Sequence, residues 1–215
     1  MIKGIIFDLD GTLISEREYI LGCLENTGAY IDHAYGKRDA FKKLKALFEI
    51  KWERVFNRFF ELEGISYDES EIQKLIKLYR DTMPAVKLYP DVMDTLDGLK
   101  RKSIKMALLT NGYYEVQKKK VELAGIDNYF DLIVIPDEFG RDKWKPNRWG
   151  YELILHKLDI TPETIIAVGD MDHDFIVPNE MGMKCIYIER EDRMNALENK
   201  AVRKIRSLKE IEMEV

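Results

Sequence analysis

A four-residue apolar run, Gly4-Ile5-Ile6-Phe7, leads directly into Asp8-Leu9-Asp10-Gly11-Thr12, and this junction constrains the chain more than any other stretch. A run with no polar alternation reads as a strand buried on both faces, the kind found in parallel sheets. Such strands deliver the residues that follow them to the carboxyl edge of the sheet, where open α/β folds place their ligands. Two carboxylates arrive there two positions apart, followed by a glycine that can turn the chain sharply. Close carboxylates repel each other unless a cation sits between them, and a hard cation such as Mg²⁺ takes oxygen ligands. A strand-to-loop turn decorated with aspartates is the plainer alternative. The rest of the chain has to choose between them.

Four further apolar segments, at 106–109, 132–135, 165–168 and 185–188, read as buried strands. Helical patterns separate them. Residues 92–102 carry apolar side chains at helical spacing after the turn signal Tyr89-Pro90-Asp91. Residues 115–124 end at Gly125, a natural carboxyl cap, and residues 148–158 are amphipathic. Thr161-Pro162-Glu163 offers an amino-cap with proline at the first helical position, hence another helix start. Strands alternating with helices predict right-handed βαβ units, a doubly wound parallel sheet of the α/β class.

Residues 15–87 break that rhythm. They hold no convincing strand, only helical stretches at 19–24, 38–60 and 69–83, the second broken near 49–51. Gly28, Gly36 and Gly64 with Ser66 mark turns. An insertion at this point would lie above the carboxyl edge of the sheet, as a lid that excludes water and selects substrate. Trp52, Phe56, Phe59 and Phe60 fall at helical spacing and are expected in the core of that insertion; Tyr30 and Tyr35 are further aromatics there.

The 215 residues carry a net charge of −5 and show no clustered basic stripe, so nucleic acid is not an expected partner. Lys118-Lys119-Lys120, flanked by Glu115 and Glu122, reads as a solvated helix face. No apolar run approaches membrane-spanning length, and the expectation is a cytoplasmic protein, monomer or homodimer, with no membrane partner. Cys23 and Cys185 are the two cysteines, too few for a disulfide framework or a cysteine metal site.

Three of the later strands are followed by residues suited to one site. After 106–109 come Thr110-Asn111-Gly112, a hydroxyl with exposed backbone N–H groups, a good phosphate cradle and also ordinary turn chemistry. After 165–168 come Gly169-Asp170-Met171-Asp172-His173-Asp174, dense in carboxylates. After 132–135 comes Lys143-Trp144-Lys145-Pro146-Asn147, where a lysine would neutralise phosphate. His33 and His156 have no partner pattern.

The ordered set, from Asp8 to Asp174, resembles the haloacid dehalogenase-like hydrolase superfamily, and the helical insertion resembles the α-helical cap of its group containing phosphoglycolate phosphatase and β-phosphoglucomutase. The resemblance implies a Rossmann-like core at 1–14 and 88–215 and a cap at 15–87. It implies that Asp8 is the nucleophile, forming an aspartyl-phosphate, and that Asp10 is the general acid and base. Mg²⁺ would be held by Asp8, the Asp10 carbonyl and Asp170, with Asp174 behind them. Thr110 and Asn111 match the phosphate-binding turn, and Lys145 the lysine that steadies nucleophile and phosphoryl oxygens. The chain departs from many relatives in having Met171 where a small hydroxyl residue is common, and which way Asp172 and His173 point is left open by the sequence.

Within the resemblance, Asp10 separates the reactions. Haloacid dehalogenases lack that aspartate, since a leaving halide needs no proton, so the leading expectation is a Mg²⁺-dependent phosphatase acting on a small phosphorylated metabolite. A β-phosphoglucomutase-like mutase is the nearer rival, and a non-catalytic binding protein keeping the fold is the rival of another class.

Overall fold

Each apolar run forms a strand of one parallel sheet: β1 (Gly4–Phe7), β2 (Lys105–Leu109), β3 (Leu132–Val134), β4 (Ile165–Gly169) and β5 (Lys184–Ile188). The computed structural model describes residues 1–191 and 203–215, and among them a sixth strand, β6 (Arg203–Ile205), pairs with β5. The strand order is β3-β2-β1-β4-β5-β6. β1 therefore lies between β2 and β4, with Phe7 opposite Leu108 on one side and Val168 on the other. That register brings Asp8 and the segments after β2 and β4 out at one edge.

The helices are α1 (Glu16–Tyr35), α2 (Ala40–Ile50), α3 (Val55–Glu63), α4 (Glu69–Asp81), α5 (Val92–Arg101), α6 (Tyr114–Ala124), α7 (Trp149–Leu158) and α8 (Ile176–Glu180). Alternate strand residues serve the two faces of the sheet, as the two-residue period of a strand requires. Ile5 and Phe7 join Leu96 and Leu99 of α5 and Val121 of α6 in one core, which Leu208 and Ile211 complete. Ile6, Ala107 and Leu109 pack with Tyr151 and Ile154 of α7 and Val177 of α8 on the other. Each fully buried Leu, Ile or Phe among them contributes on the order of 1.5–3 kcal/mol.

The helix start expected at Thr161 is only a 3₁₀ turn, Pro162–Thr164, before β4 begins. The Thr161 side chain makes no capping bond, and the β-branched run Ile165-Ile166 prefers the sheet. β6 was not anticipated: three residues, two of them exposed and charged, leave no apolar signature.

The chain divides into two compact units, 1–17 with 86–215, and 18–85. The second is helical. Leu24 and Ile31 of α1, Leu44 of α2, Phe56, Phe59 and Phe60 of α3 and Ile72 and Leu75 of α4 form its core. The long helical stretch breaks at residues 51–54, between α2 and α3, and α4 opens on a capping box of Asp68 and Glu71. Two expectations fail here. Gly28 is no turn; it lies buried within α1, where a Cβ would meet the Phe41 nitrogen at 2.6 Å, so its smallness admits the start of α2. Trp52 is 66% exposed, because it falls in the interhelical break and shares no face with Phe56. No helix among the described residues is long and apolar enough to cross a membrane.

Candidate active site

Asp8 is the first residue past β1, and its backbone N–H donates to the Val168 carbonyl at 2.9 Å. Its carboxylate meets Lys145, whose Nζ donates to Asp8 Oδ1 at 2.5 Å and to Asp174 Oδ1 at 2.6 Å. Lys145 is brought in by the loop after β3, which Asn111 braces: its side-chain nitrogen donates to the Lys145 carbonyl at 3.0 Å, and its oxygen accepts from the Lys145 N–H at 2.8 Å. Asp174 is fixed through its other oxygen by the Met171 N–H at 3.0 Å, and its carbonyl accepts from the Tyr151 hydroxyl at 3.2 Å. Asp170 completes the group. Asp8, Asp170 and Asp174 are all buried and each offers an oxygen within 4.8 Å of the others. Asp170 Oδ1 is buried without a hydrogen-bond partner.

The electrostatics follow from one ammonium facing three carboxylates. Burial pushes Asp8 up to about 7, against the pull of Lys145 and with Asp174 adding to the rise. Asp170 is raised well above the usual carboxylate range by burial and then by Asp8 and Asp174. Burial pulls the Lys145 ammonium down, but Asp174 and Asp8 outweigh it and hold it above the ordinary lysine value. Lone buried carboxylates are costly unless paired, hydrogen-bonded or bound to a metal. The bare Asp170 oxygen and the hard oxygen donor set fit a small divalent cation.

Asp10 belongs to a second group. Lys120 Nζ donates to its Oδ1 at 2.7 Å and Oδ2 at 2.9 Å. Gln117 Nε2 donates to Asp10 Oδ2 at 2.7 Å and to Thr110 Oγ1 at 2.6 Å. Thr110 is the residue after β2 and is buried. Glu16, at the start of α1, is pushed up to about 7 by burial and then by Asp10, with Lys120 opposing. The loop between the two groups is held from below: Arg190, after β5, donates to the Thr12 carbonyl through Nη2 at 2.7 Å and to Asp91 through Nη1 at 2.9 Å. Gly11 turns that loop at φ 73°, a left-handed conformation that favours glycine.

The structure thus brings Asp8, Lys145, Asp170 and Asp174 into one cluster and Asp10 with Thr110 into another, joined by the loop of residues 8–12. It also corrects the reading of the lysine triplet. Lys120 is 5% exposed and paired, not solvated. The signal was present in the spacing: Gln117 and Lys120 lie three apart on α6, on one face, but lysine and glutamine do not announce burial. His173 stands at the rim, Nε2 3.6 Å from Asp174 Oδ1, its imidazole held below the ordinary value by burial.

The chain belongs to the haloacid dehalogenase-like hydrolase family, whose family model matches residues 5–188. Among curated relatives it is 29% identical over 189 residues to the pyrophosphatase PpaX of Halalkalibacterium halodurans, covering 85% of this chain and 81% of that one. It is 30% identical to a putative pyrophosphatase PpaX of Clostridium perfringens, covering 86% and 82%. Among solved structures it is similar to a HAD phosphatase from Thermococcus onnurineus, at 26% identity and a TM-score of 0.68, covering 99% and 97% of the two chains. A predicted phosphoglycolate phosphatase from Haemophilus somnus shares the fold at a TM-score of 0.73 and 18% identity, covering 98% and 96%.

Proposed function

We propose that the protein is a Mg²⁺-dependent phosphatase that hydrolyses a small phosphorylated metabolite through an aspartyl-phosphate on Asp8. The observation that carries this reading is the sharing of one Lys145 ammonium between Asp8 and Asp174 while Asp170 keeps a bare oxygen. Three carboxylates against one ammonium leave two negative charges, which a divalent cation and an incoming phosphoryl group would organise together.

In the first half of the reaction an Asp8 oxygen attacks phosphorus, the bond from phosphorus to the leaving oxygen breaks, and Asp10 gives that oxygen a proton. In the second half water attacks the phosphorus, its proton passes to Asp10, and the Asp8 carboxylate is released with inorganic phosphate. Lys145 holds the nucleophile in place and faces the charge of the transferring oxygens, and Thr110 takes a phosphoryl oxygen. Asp8, the Asp10 carbonyl and Asp170 would hold Mg²⁺, with Asp174 orienting Lys145 and the loop behind them. When bound, the cation supplies charge neutralisation at the phosphoryl oxygens.

Because the curated relatives are named pyrophosphatases, inorganic pyrophosphate belongs on the substrate panel beside aryl phosphates, phosphoglycolate and β-glucose 1-phosphate. Phosphate release from one or a few of these that requires Mg²⁺ is the expected result. Isomerisation of the sugar phosphate without release would transfer the assignment to a mutase. Asp8→Asn should lose about 10⁴-fold or more in kcat, the scale on which removal of a covalent nucleophile is felt; full activity in that variant would remove Asp8 from the role.

A further inference from the structure

The contacts of α6 reach past the assigned roles. Gln117 is 2% exposed, and its Nε2 lies within hydrogen-bond distance of both Asp10 Oδ2 and Thr110 Oγ1, at 2.7 and 2.6 Å. Both Asp10 oxygens accept from the Lys120 ammonium, so the glutamine atom facing Oδ2 has to be the donor nitrogen. Lys120 pins the same carboxylate through both oxygens, which fixes where that nitrogen points. The second N–H of the amide then reaches Thr110, and the Thr110 oxygen is an acceptor in this bond. Its own proton is directed elsewhere. It meets the Asn111 carbonyl at 3.4 Å, a long contact for a hydroxyl donor. The turn is built around this amide: Gly112 adopts φ 137°, and a Cβ there would meet Gln117 Cδ and Cγ at 2.8 Å.

We propose that Gln117 is a positioning residue that fixes the Thr110 hydroxyl as a donor to the substrate's phosphoryl oxygen and ties it to Asp10, which Lys120 anchors. A threonine hydroxyl left to itself points its proton wherever an acceptor offers, and a donor held against its oxygen biases that proton toward an incoming anion. The proposal rests on the reading of Thr110 as part of the phosphate cradle.

The test is a binding measurement on the full-length protein with Mg²⁺, using inorganic phosphate as the probe and calorimetry as the readout. Gln117→Glu keeps the shape but places an acceptor against Thr110, so the hydroxyl turns toward it. Phosphate affinity should fall about 10–100-fold, the size of one lost hydrogen bond to a charged group. Gln117→Met removes the bond without adding charge and serves if the glutamate variant does not fold. The decisive arm is a double-mutant cycle: in a Thr110→Val background Gln117→Met should have almost no further effect on phosphate affinity, because the hydroxyl it acts through is gone. Additive losses in the cycle, or unaltered phosphate affinity in both Gln117 variants, would overturn the proposal and leave Gln117 a packing residue. Turnover of the Asp8→Asn variant reports on the phosphatase reading separately, since phosphate binding does not need the nucleophile to react.

Discussion

Asp8 and Asp10 stand two residues apart, each beside a buried lysine, yet the two surroundings differ in the sum of their charges. Around Asp8, Lys145 is shared with Asp174, and Asp170 has an oxygen with no partner. Around Asp10, Lys120 meets both carboxylate oxygens and Gln117 adds a neutral donor. The first group sets three buried carboxylates against one ammonium; the second sets Asp10 and the half-protonated Glu16 against Lys120, so its shortfall of positive charge is smaller. The larger shortfall, with a bare carboxylate oxygen beside it, fits a cation, whereas every Asp10 carboxylate oxygen already has a donor that fixes its orientation. The chain places the two in succession, so the two carboxylates of one loop are set by different neighbours.

Removing the lysines breaks the comparison most directly. Lys145→Met leaves three buried carboxylates with no ammonium, and loss of one partner of a buried ion pair costs about 3–5 kcal/mol. Lys120→Met leaves Asp10 with Gln117 and a side chain 16% exposed, so a smaller loss of about 1–3 kcal/mol is expected. Chemical denaturation with and without Mg²⁺ measures both. Mg²⁺ should restore part of the stability of the Lys145 variant and little of the Lys120 variant. Equal rescue of both would show that the two groups are not electrically distinct.

Acidity sharpens the same contrast. Asp8, pushed up to about 7, and Asp170, raised in the same direction, keep protons in the folded state that the unfolded chain has already lost. Without metal, their contribution to stability is present below the ordinary carboxylate range, near pH 4, and fades as pH climbs through about 7. Mg²⁺ displaces those protons, so its stabilising effect should grow over the same interval. At saturating Mg²⁺, near 100 times its dissociation constant, the gain is about 2.7 kcal/mol, or roughly 5–10 °C in Tm for a chain of this size. Thermal melts should show that rise at pH 8 and much less of it at pH 5.5. A Mg²⁺ shift independent of pH would count against these carboxylates as the cation's ligands.

How legible the site was follows the same division. Asp8, Asp170, Asp174 and Lys145 follow buried apolar strands or precede a proline, positions where a polar residue is conspicuous, and the parallel order of β2, β1 and β4 brings them to one edge. Gln117 and Lys120 sit inside α6 among exposed charged residues, and nothing in their types separates a buried lysine from a solvated one. The same blindness hid β6, whose pairing is backbone chemistry with β5, and misplaced Gly28, whose smallness serves a helix contact rather than a turn. Sequence periodicity reports which residues face apolar neighbours; it carries no record of which polar residues meet across 107 or 110 positions of chain.

The finest division lies within the acidic group itself. Asp174 has one oxygen on Lys145 and the other on the Met171 N–H, whereas Asp170 keeps a buried oxygen unpaired. Asp170→Asn removes a charged oxygen that has no other employment, and the Mg²⁺-induced rise in Tm should disappear. Asp174→Asn exchanges a carboxylate for an amide whose NH₂ must face either the Lys145 ammonium or the Met171 N–H, donor against donor. It loosens the lysine and the loop but leaves Asp8 and Asp170 in place, so Mg²⁺ affinity should fall only by about 10–100-fold, the usual effect of losing a group that orients the ligands. Titration of each variant with Mg²⁺, followed by its melting temperature, orders the two. If Asp174→Asn lost the metal more completely than Asp170→Asn, Asp174 would be the direct ligand and the unpaired oxygen of Asp170 would need another explanation.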